Sequence, residues 1–403
     1  MKKRILYSIF TVLLVAGTGL TYLIQTGERG LTSQAFAART LDVIRLTPDQ
    51  TSTLNWKPEA LDAVFAYAAT LSTDSMMIVT SGQLVAGFGD LSRPYNVHSI
   101  RKALLSAVVG QHVGAAPAQI HLEATLKQLG IDDTPQPLTD IQKTATVEHL
   151  LASRSGINHP AAAEAGLTSD KDSRLGNGDN QPGTLWAYNN WDYNALTTIF
   201  EQVTGLSVAE AFQTGIAQPS GMKDFSFDAV SYVSEPQRSE HRAASFSMSA
   251  RDLATFGQIY LNKGRVGTRQ ILPASWIERI ADGYSLTGRD DLRWAHGDLW
   301  WIPSPDSGLP EGTFWAWGLG NQALVVIPAW DTVIVVQSDT TEFLKRFIPM
   351  IASGETPAEA ALERLILSCT KRSNKSSAYC TEHRFTTRRE FEKLISLVEA
   401  ART

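Results

Sequence analysis

Apolar stretches and polar breaks assign most elements of this chain. The longest uncharged stretch is "ILYSIFTVLLVAGTGLTYLI", Ile5–Ile24, directly behind "MKKR". It has the length a helix needs to cross a bilayer. "SMMIVTSGQLVAGFG", Ser75–Gly89, holds two apolar runs around a Ser-Gly break, the pattern of a hairpin. From Ser99 to about Asn262 the apolar spacing is mainly helical. "TVEHLLASRSG" predicts a helix stopped at Gly156, and "NALTTIFEQVTG" one stopped at Gly205. In "SMSARDLATFGQIYLNKG" Ser249 precedes Asp252 by three positions, a capping-box pattern ahead of a helical stripe. Strand patterns return in "DLWWIP", "TFWAWGLG", "ALVVIP" and "TVIVVQS", and the tail reads as helical in "AEAALERLILS" and "RREFEKLISLVEAA". Strands at both ends around a helical middle predict an α/β (α+β) fold. Its antiparallel sheet is closed by N- and C-terminal segments, flanked by helices, and carries an inserted all-helical subdomain over about 99–262.

The same pattern divides the chain into a cytoplasmic stub (1–4), a membrane anchor or signal (5–24), a linker (25–50), a folded domain (51–350) and a C-terminal extension (351–403). Lys2, Lys3 and Arg4 orient Ile5–Ile24 with the bulk of the chain outside the cytoplasm, as a single-pass protein of the inner membrane facing the periplasm or exterior. The competing reading is a cleaved signal peptide, for which "AFA" at Ala35–Ala37 offers a small-residue site. Cys369 and Cys380 flank "TKRSNKSS"; in an exported chain they read as a disulfide closing a loop, with two free thiols as the alternative. The net charge of −5, without a basic stripe, excludes nucleic acid as a partner. No Cys/His spacing fits a zinc site, and no metal or cofactor is expected.

The chemistry starts in "VHSIRKALLSAVVG". Ser99 and Lys102 lie three apart, on one face of a helix, and the positions behind them are apolar. A lysine at the positive start of a buried helix is pushed toward its neutral form by the dipole and by desolvation. A neutral amine can take the proton of a hydroxyl beside it. The plainer reading is a helix-capping serine and a solvated lysine. "PGTLWAYNNWDYN" supplies Tyr188 and Asn190 ahead of a helix, a phenol to relay protons and an amide to hold the lysine and a carbonyl oxygen. "FWAWGLGNQ" carries glycines inside a strand pattern, which mark close approach of another backbone or a ligand.

Together these segments resemble the serine β-lactamase and penicillin-binding-protein superfamily, in its class C-like branch, from about Lys57 to Ser338. "SIRK" matches its Ser-x-x-Lys element and "PGTLWAYNN" its Pro-Gly-x-x-x-x-Tyr-x-Asn; "TVEHLLASRSGINH" and "SARDLATFGQIYLNKG" resemble its intervening helices. The resemblance implies a β-lactamase/transpeptidase-like fold with Ser99 as nucleophile, Lys102 and Tyr188 in proton transfer, Asn190 on substrate, and backbone at Trp317, Gly318 and Gly320 lining the oxyanion site. The Lys-Thr-Gly or His-x-Gly of the last catalytic strand is missing. "AWGLGNQ" stands there, closest to the 6-aminohexanoate-dimer hydrolase and esterase-like group, so no cation awaits a substrate carboxylate. The implied activity is hydrolysis of a small ester or amide. β-Lactamase or DD-peptidase action, or a non-catalytic penicillin-binding-like module, is the alternative. Trp300, Trp301, Trp315 and Trp317 read as cleft-lining or as core packing.

The uncleaved anchor is testable by N-terminal sequencing of the membrane-extracted protein: a chain beginning in "MKKR" is expected, and one beginning near Ala38 identifies a signal peptide instead.

Overall fold

The computed structural model describes residues 40–164, 168–341, 386 and 388–403. Ile5–Ile24, Ala35–Ala37, "AEAALERLILS", Cys369 and Cys380 lie outside them. Among the described residues no helix is long and apolar enough to cross a membrane.

A nine-stranded sheet organises the fold. Numbered within this sheet, its strands are β1 (Val43–Arg45), β2 (Ser75–Thr80), β3 (Gln83–Phe88), β4 (Ser285–Leu286), β5 (Ala295–Gly297), β6 (Trp300–Ile302), β7 (Phe314–Gly318), β8 (Gln322–Ile327) and β9 (Thr332–Gln337). Their spatial order is β1-β3-β2-β9-β8-β7-β6-β5-β4, antiparallel throughout. The N-terminal hairpin β2–β3 meets the C-terminal strands where Thr80 pairs with Thr332 and Ser75 with Gln337. Every residue of β2, β8 and β9 is buried. Strands covered on both faces lose the polar–apolar alternation, which is why they read in sequence as continuous apolar runs.

Alternate side chains on β7 show the two layers. Phe314 packs against Tyr260 of the helix α4 (Ala250–Leu261), while its neighbour Trp315 packs against Phe391 of the C-terminal helix α6 (Arg388–Ala400). Gly257 of α4 lies so close to the sheet that a Cβ there would come within 2.7 Å of Val333. The end of the C-terminal extension is therefore part of the domain. Lys57 donates its backbone N–H to Ala401, at the N-terminus of α1 (Pro58–Ala68), and Trp56 bridges to Arg402.

Between the two halves of the sheet run α2 (Arg101–Val113), α3 (Asn190–Thr204) and shorter helices. The middle segment is not all helical: Val230–Val233 and Tyr95–Asn96 flank Ala243–Met248 in a three-stranded sheet. These strands are short and carry Ser and Ala between their larger residues, so their apolar signal was too weak to compete with the helices around them. Ser249 caps α4 as expected, accepting from the Asp252 N–H, but the Asp252 carboxylate completes no box; it accepts the backbone N–H groups of Lys223, Asp224 and Phe225.

Phe391 is fully buried against Trp315 and Trp317. Phe391→Ala is expected to cost about 3–5 kcal/mol, the usual range for emptying a buried aromatic site, measured by denaturant unfolding. A loss below about 1 kcal/mol, the size of ordinary surface substitutions, means α6 is not integral to the domain.

Candidate active site

Ser99 sits in a single 3₁₀ turn, His98–Ile100, that leads directly into α2. The turn is set by its entry. His98 holds a left-handed φ of 46°, and its N–H is taken by the Asn96 side chain at 2.9 Å. Its ring meets the Thr340 hydroxyl at 2.7 Å. From Arg101 to Gly110 every residue of α2 is buried, so the helix runs through the interior and carries Lys102 with it. Lys102 is 3% exposed, Ser99 stays partly open, and the Lys102 ammonium nitrogen lies 2.9 Å from the Ser99 Oγ.

Burial first, and the Arg101 guanidinium second, hold the Lys102 pKa well below the ordinary lysine range. Lys102 makes no ion pair among the described residues. Its nitrogen lies instead over two adjoining rings, 4.8 Å from the centre of Tyr188 and 4.9 Å from that of Tyr193, which meet each other edge to face at 5.3 Å. Burial raises Tyr188 to about 12, and the contact of its phenol with the Ser99 hydroxyl offsets only part of that. At neutral pH Tyr188 therefore keeps its proton, and the amine, once neutral, is the one of the two that can accept one. Arg101 is itself spent, donating to the Ala244 carbonyl and the Asn194 side chain at 3.2 Å each.

β7 closes the other side of Ser99. Beyond the Trp301–Trp315 pair, β7 has β8 on one edge only, and its end faces the turn that carries Ser99. At Gly318 a Cβ would stand 2.6 Å from the Val97 carbonyl oxygen, so only glycine admits this approach. Gln322 fastens the return strand by donating to the Asn96 carbonyl at 2.9 Å. Gly320 takes a left-handed φ of 80° in the turn between β7 and β8.

The structure thus brings Ser99, Lys102, Tyr188 and Gly318 together. Asn190 does not bond Lys102. Its amide nitrogen donates to the Ala163 carbonyl at 3.0 Å, and its Oδ1 is buried without a protein partner. The four tryptophans divide by face. Trp301 stacks on Tyr188, centres 5.5 Å apart. Trp300 packs on Phe256 and Tyr260, away from Ser99. Trp315 and the Trp317 side chain pack on Phe391, so neither indole lines the cleft and Trp317 offers the site only its backbone. Sequence reasoning missed Tyr193 and Ser153, which lie inside segments singled out for other residues, Trp301 as a stacking partner, and His296, which lies outside every motif.

Away from this site, Asp133, Glu240 and His241 bring one ligand atom each within 4.8 Å of one another. Their capacity is already used. Asp133 accepts from Trp191, Ser239 and the backbone of Thr134 and Glu240 and pairs with His159, and both His241 nitrogens are engaged.

Residues 61–350 match the Beta-lactamase family, and the chain belongs to it. It is 30% identical over 171 residues to PbpX of Bacillus subtilis, named as a penicillin-binding protein; the match covers 40% of this chain and 42% of that relative. A Bacillus anthracis structure named as a 6-aminohexanoate-dimer hydrolase aligns with a TM-score of 0.51 and 23% identity, over 74% of this chain and 85% of the other. EstCE1, named as a hydrolase with promiscuous acyltransferase activity, aligns with a TM-score of 0.51 and 15% identity, over 77% of this chain and all of the other. At these identities the two structures speak to the fold, which is of the β-lactamase/transpeptidase type.

Lys102→Arg keeps a cation but cannot deprotonate. The reaction rate of Ser99 with a fluorophosphonate is expected to drop by about 10²–10⁴, the usual size of a general-base effect. In the parent the rate should fall as pH is lowered through the depressed lysine pKa, because only the neutral amine accepts a proton. A folded Lys102→Arg chain reacting at the parent rate removes the lysine from this role.

Proposed function

We propose that the chain is a serine hydrolase that cleaves a neutral ester or small amide through an acyl-enzyme on Ser99, on the outer side of the cytoplasmic membrane. The observation that carries this reading is the buried Lys102 amine, which pairs with no carboxylate among the described residues, at hydrogen-bond distance from the hydroxyl of the partly exposed Ser99. The placement outside the membrane rests on the uncharged Ile5–Ile24 behind "MKKR".

As the Ser99 Oγ bonds to the acyl carbon, its proton passes to Lys102. The carbonyl oxygen becomes an oxyanion held by the backbone N–H groups of Ser99, at the start of the helix, and of the Trp317–Gly320 segment. Collapse breaks the bond to the leaving group, which takes a proton from Lys102 by way of the Tyr188 hydroxyl. Water then repeats the cycle on the acyl-enzyme: it loses a proton to the same pair, attacks the ester carbon, and frees the carboxylic acid and Ser99. That Asn190 Oδ1 has no hydrogen-bond partner among the described residues supports a role in accepting an N–H from an amide substrate.

Substrate preference follows from charge. β7 reads Phe-Trp-Ala-Trp-Gly and offers no cation, and Arg101 is buried and committed. A substrate carboxylate at β7 forgoes a charge-assisted hydrogen bond of about 1.5–3 kcal/mol, while a neutral acyl ester forgoes nothing.

The purified chain is expected to be labelled by a fluorophosphonate, and Ser99→Ala is expected to abolish the labelling. kcat/KM for p-nitrophenyl butyrate should exceed that for nitrocefin at least tenfold, the lower end of that energy. Labelling by fluorescent penicillin without ester turnover marks a penicillin-binding module instead, and a preference for nitrocefin overturns the inference from the missing cation.

A further inference from the structure

His296 lies on β5, far in sequence from every catalytic motif, and is 1% exposed. Its Nδ1 is 3.4 Å from the Ser153 Oγ, and that oxygen is 2.7 Å from the Tyr193 hydroxyl. The same imidazole stands edge-on to Trp301 at 4.9 Å, and Trp301 lies flat against Tyr188. Tyr193 and Tyr188 are the two adjoining rings that cover the Lys102 nitrogen. One side chain therefore reaches both walls of the lysine's enclosure, the first through a hydrogen-bonded serine and the second through a stacked indole. Its Nε2 is buried with no protein partner.

We propose that His296 is a positioning residue for the Ser99–Lys102 pair, bracing Tyr193 through Ser153 and Tyr188 through Trp301 so that the two adjoining rings stay packed over the lysine nitrogen. The inference rests on the serine-hydrolase reading and deepens it. The enclosure acts in both directions. Closed, it keeps water off the amine and favours the neutral base. Once the amine has taken the serine proton, the two ring faces stabilise the new ammonium. His296 suits this place because burial, and then Lys102 itself, depress its pKa to about 3, so it adds no second charge.

The other groups facing this cluster are few. Arg101 and the neighbouring His98 come from the α2 segment; burial, then Lys102 and Arg101, push His98 down to about 4. Asp192 acts on Tyr193 from α3, and burial raises its own carboxyl well above the ordinary range. Trp186 and Trp301, which complete the packing around His296, carry no charge.

The test is the rate of fluorophosphonate labelling of Ser99 against pH, in the parent, His296→Gln and Ser153→Gly. Ser153 holds a φ of 57°, a conformation glycine adopts without strain, so Ser153→Gly cuts the link to Tyr193 and keeps the fold if His296→Gln does not. Opening the enclosure admits water and returns the lysine pKa toward its ordinary value. The acid limb of the profile should therefore move to higher pH in both variants. A shift of about one unit lowers the neutral fraction on that limb about tenfold. A residue that only fills space lowers the melting temperature and leaves the limb where it was. Variant profiles that superimpose on the parent overturn the inference and leave the hydrolase reading intact. A parent that does not label at Ser99 overturns that reading, and this inference with it.

Discussion

An amine stays uncharged inside a protein only where its surroundings withhold every anion that would charge it, and the site around Ser99 is arranged on that condition. The chain contains its own contrast. Lys171 is as buried as Lys102, but its nitrogen lies 2.5 Å from a Glu164 oxygen, and Glu164 also pairs with Arg238. That is the ordinary way to bury a lysine, a paired charge that holds a loop. Lys102 has a hydroxyl, two ring faces and a neighbouring guanidinium instead. Removing the carboxylate turns a structural cation into a base.

The rest of the fold serves to keep that amine dry and its serine wet. α2 buries Lys102 by passing through the interior, while the turn before it leaves Ser99 at the surface of the cleft. β7 approaches from the opposite side as closely as the absent side chain of Gly318 allows. The closure of β2 on β9 fixes the sheet whose far strands, β5 and β6, deliver His296 and Trp301. Residues at opposite ends of the sequence thus meet at one proton-transfer site.

Much of this was legible beforehand, for reasons that also mark where legibility stops. Ser99, Lys102 and Tyr188 belong to short motifs whose spacing a helix or a turn converts into proximity. β2, β8 and β9 were visible because their burial on both faces leaves uninterrupted apolar runs. The two-residue β4 and three-residue β5 gave no such signal, since strands that short borrow their stability from neighbours. Hence His296 on β5 was invisible. The tryptophans show a subtler failure. Trp300 and Trp301 are consecutive on a strand and must face opposite ways, and Trp315 and Trp317 must face the same way. Reading all four alike, as cleft-lining or as core packing, left that parity unused; of the four, Trp301 is the one that stacks on Tyr188.

The protonation states of the site converge on one property. Burial lowers Lys102, His98 and His296 and raises Tyr188 and Asp192, so each group is driven toward its uncharged form at neutral pH. Arg101 is the neighbouring cation that adds to the effect of burial on Lys102. A neutral substrate enters such a cavity without stripping water from a standing ion pair. In the reaction we propose, the charges form only during the attack, as the serine proton reaches Lys102 and the oxyanion grows opposite it. Both are then met by groups already in place: ring faces for the ammonium, backbone N–H groups for the oxyanion. Interactions that strengthen as the reaction proceeds lower its barrier, whereas those equally strong in the bound ester do not. In that reaction the absence of a lysine on β7 suits the chemistry as well as the substrate: a standing ammonium there would repel the one newly formed on Lys102 and raise the cost of the proton transfer.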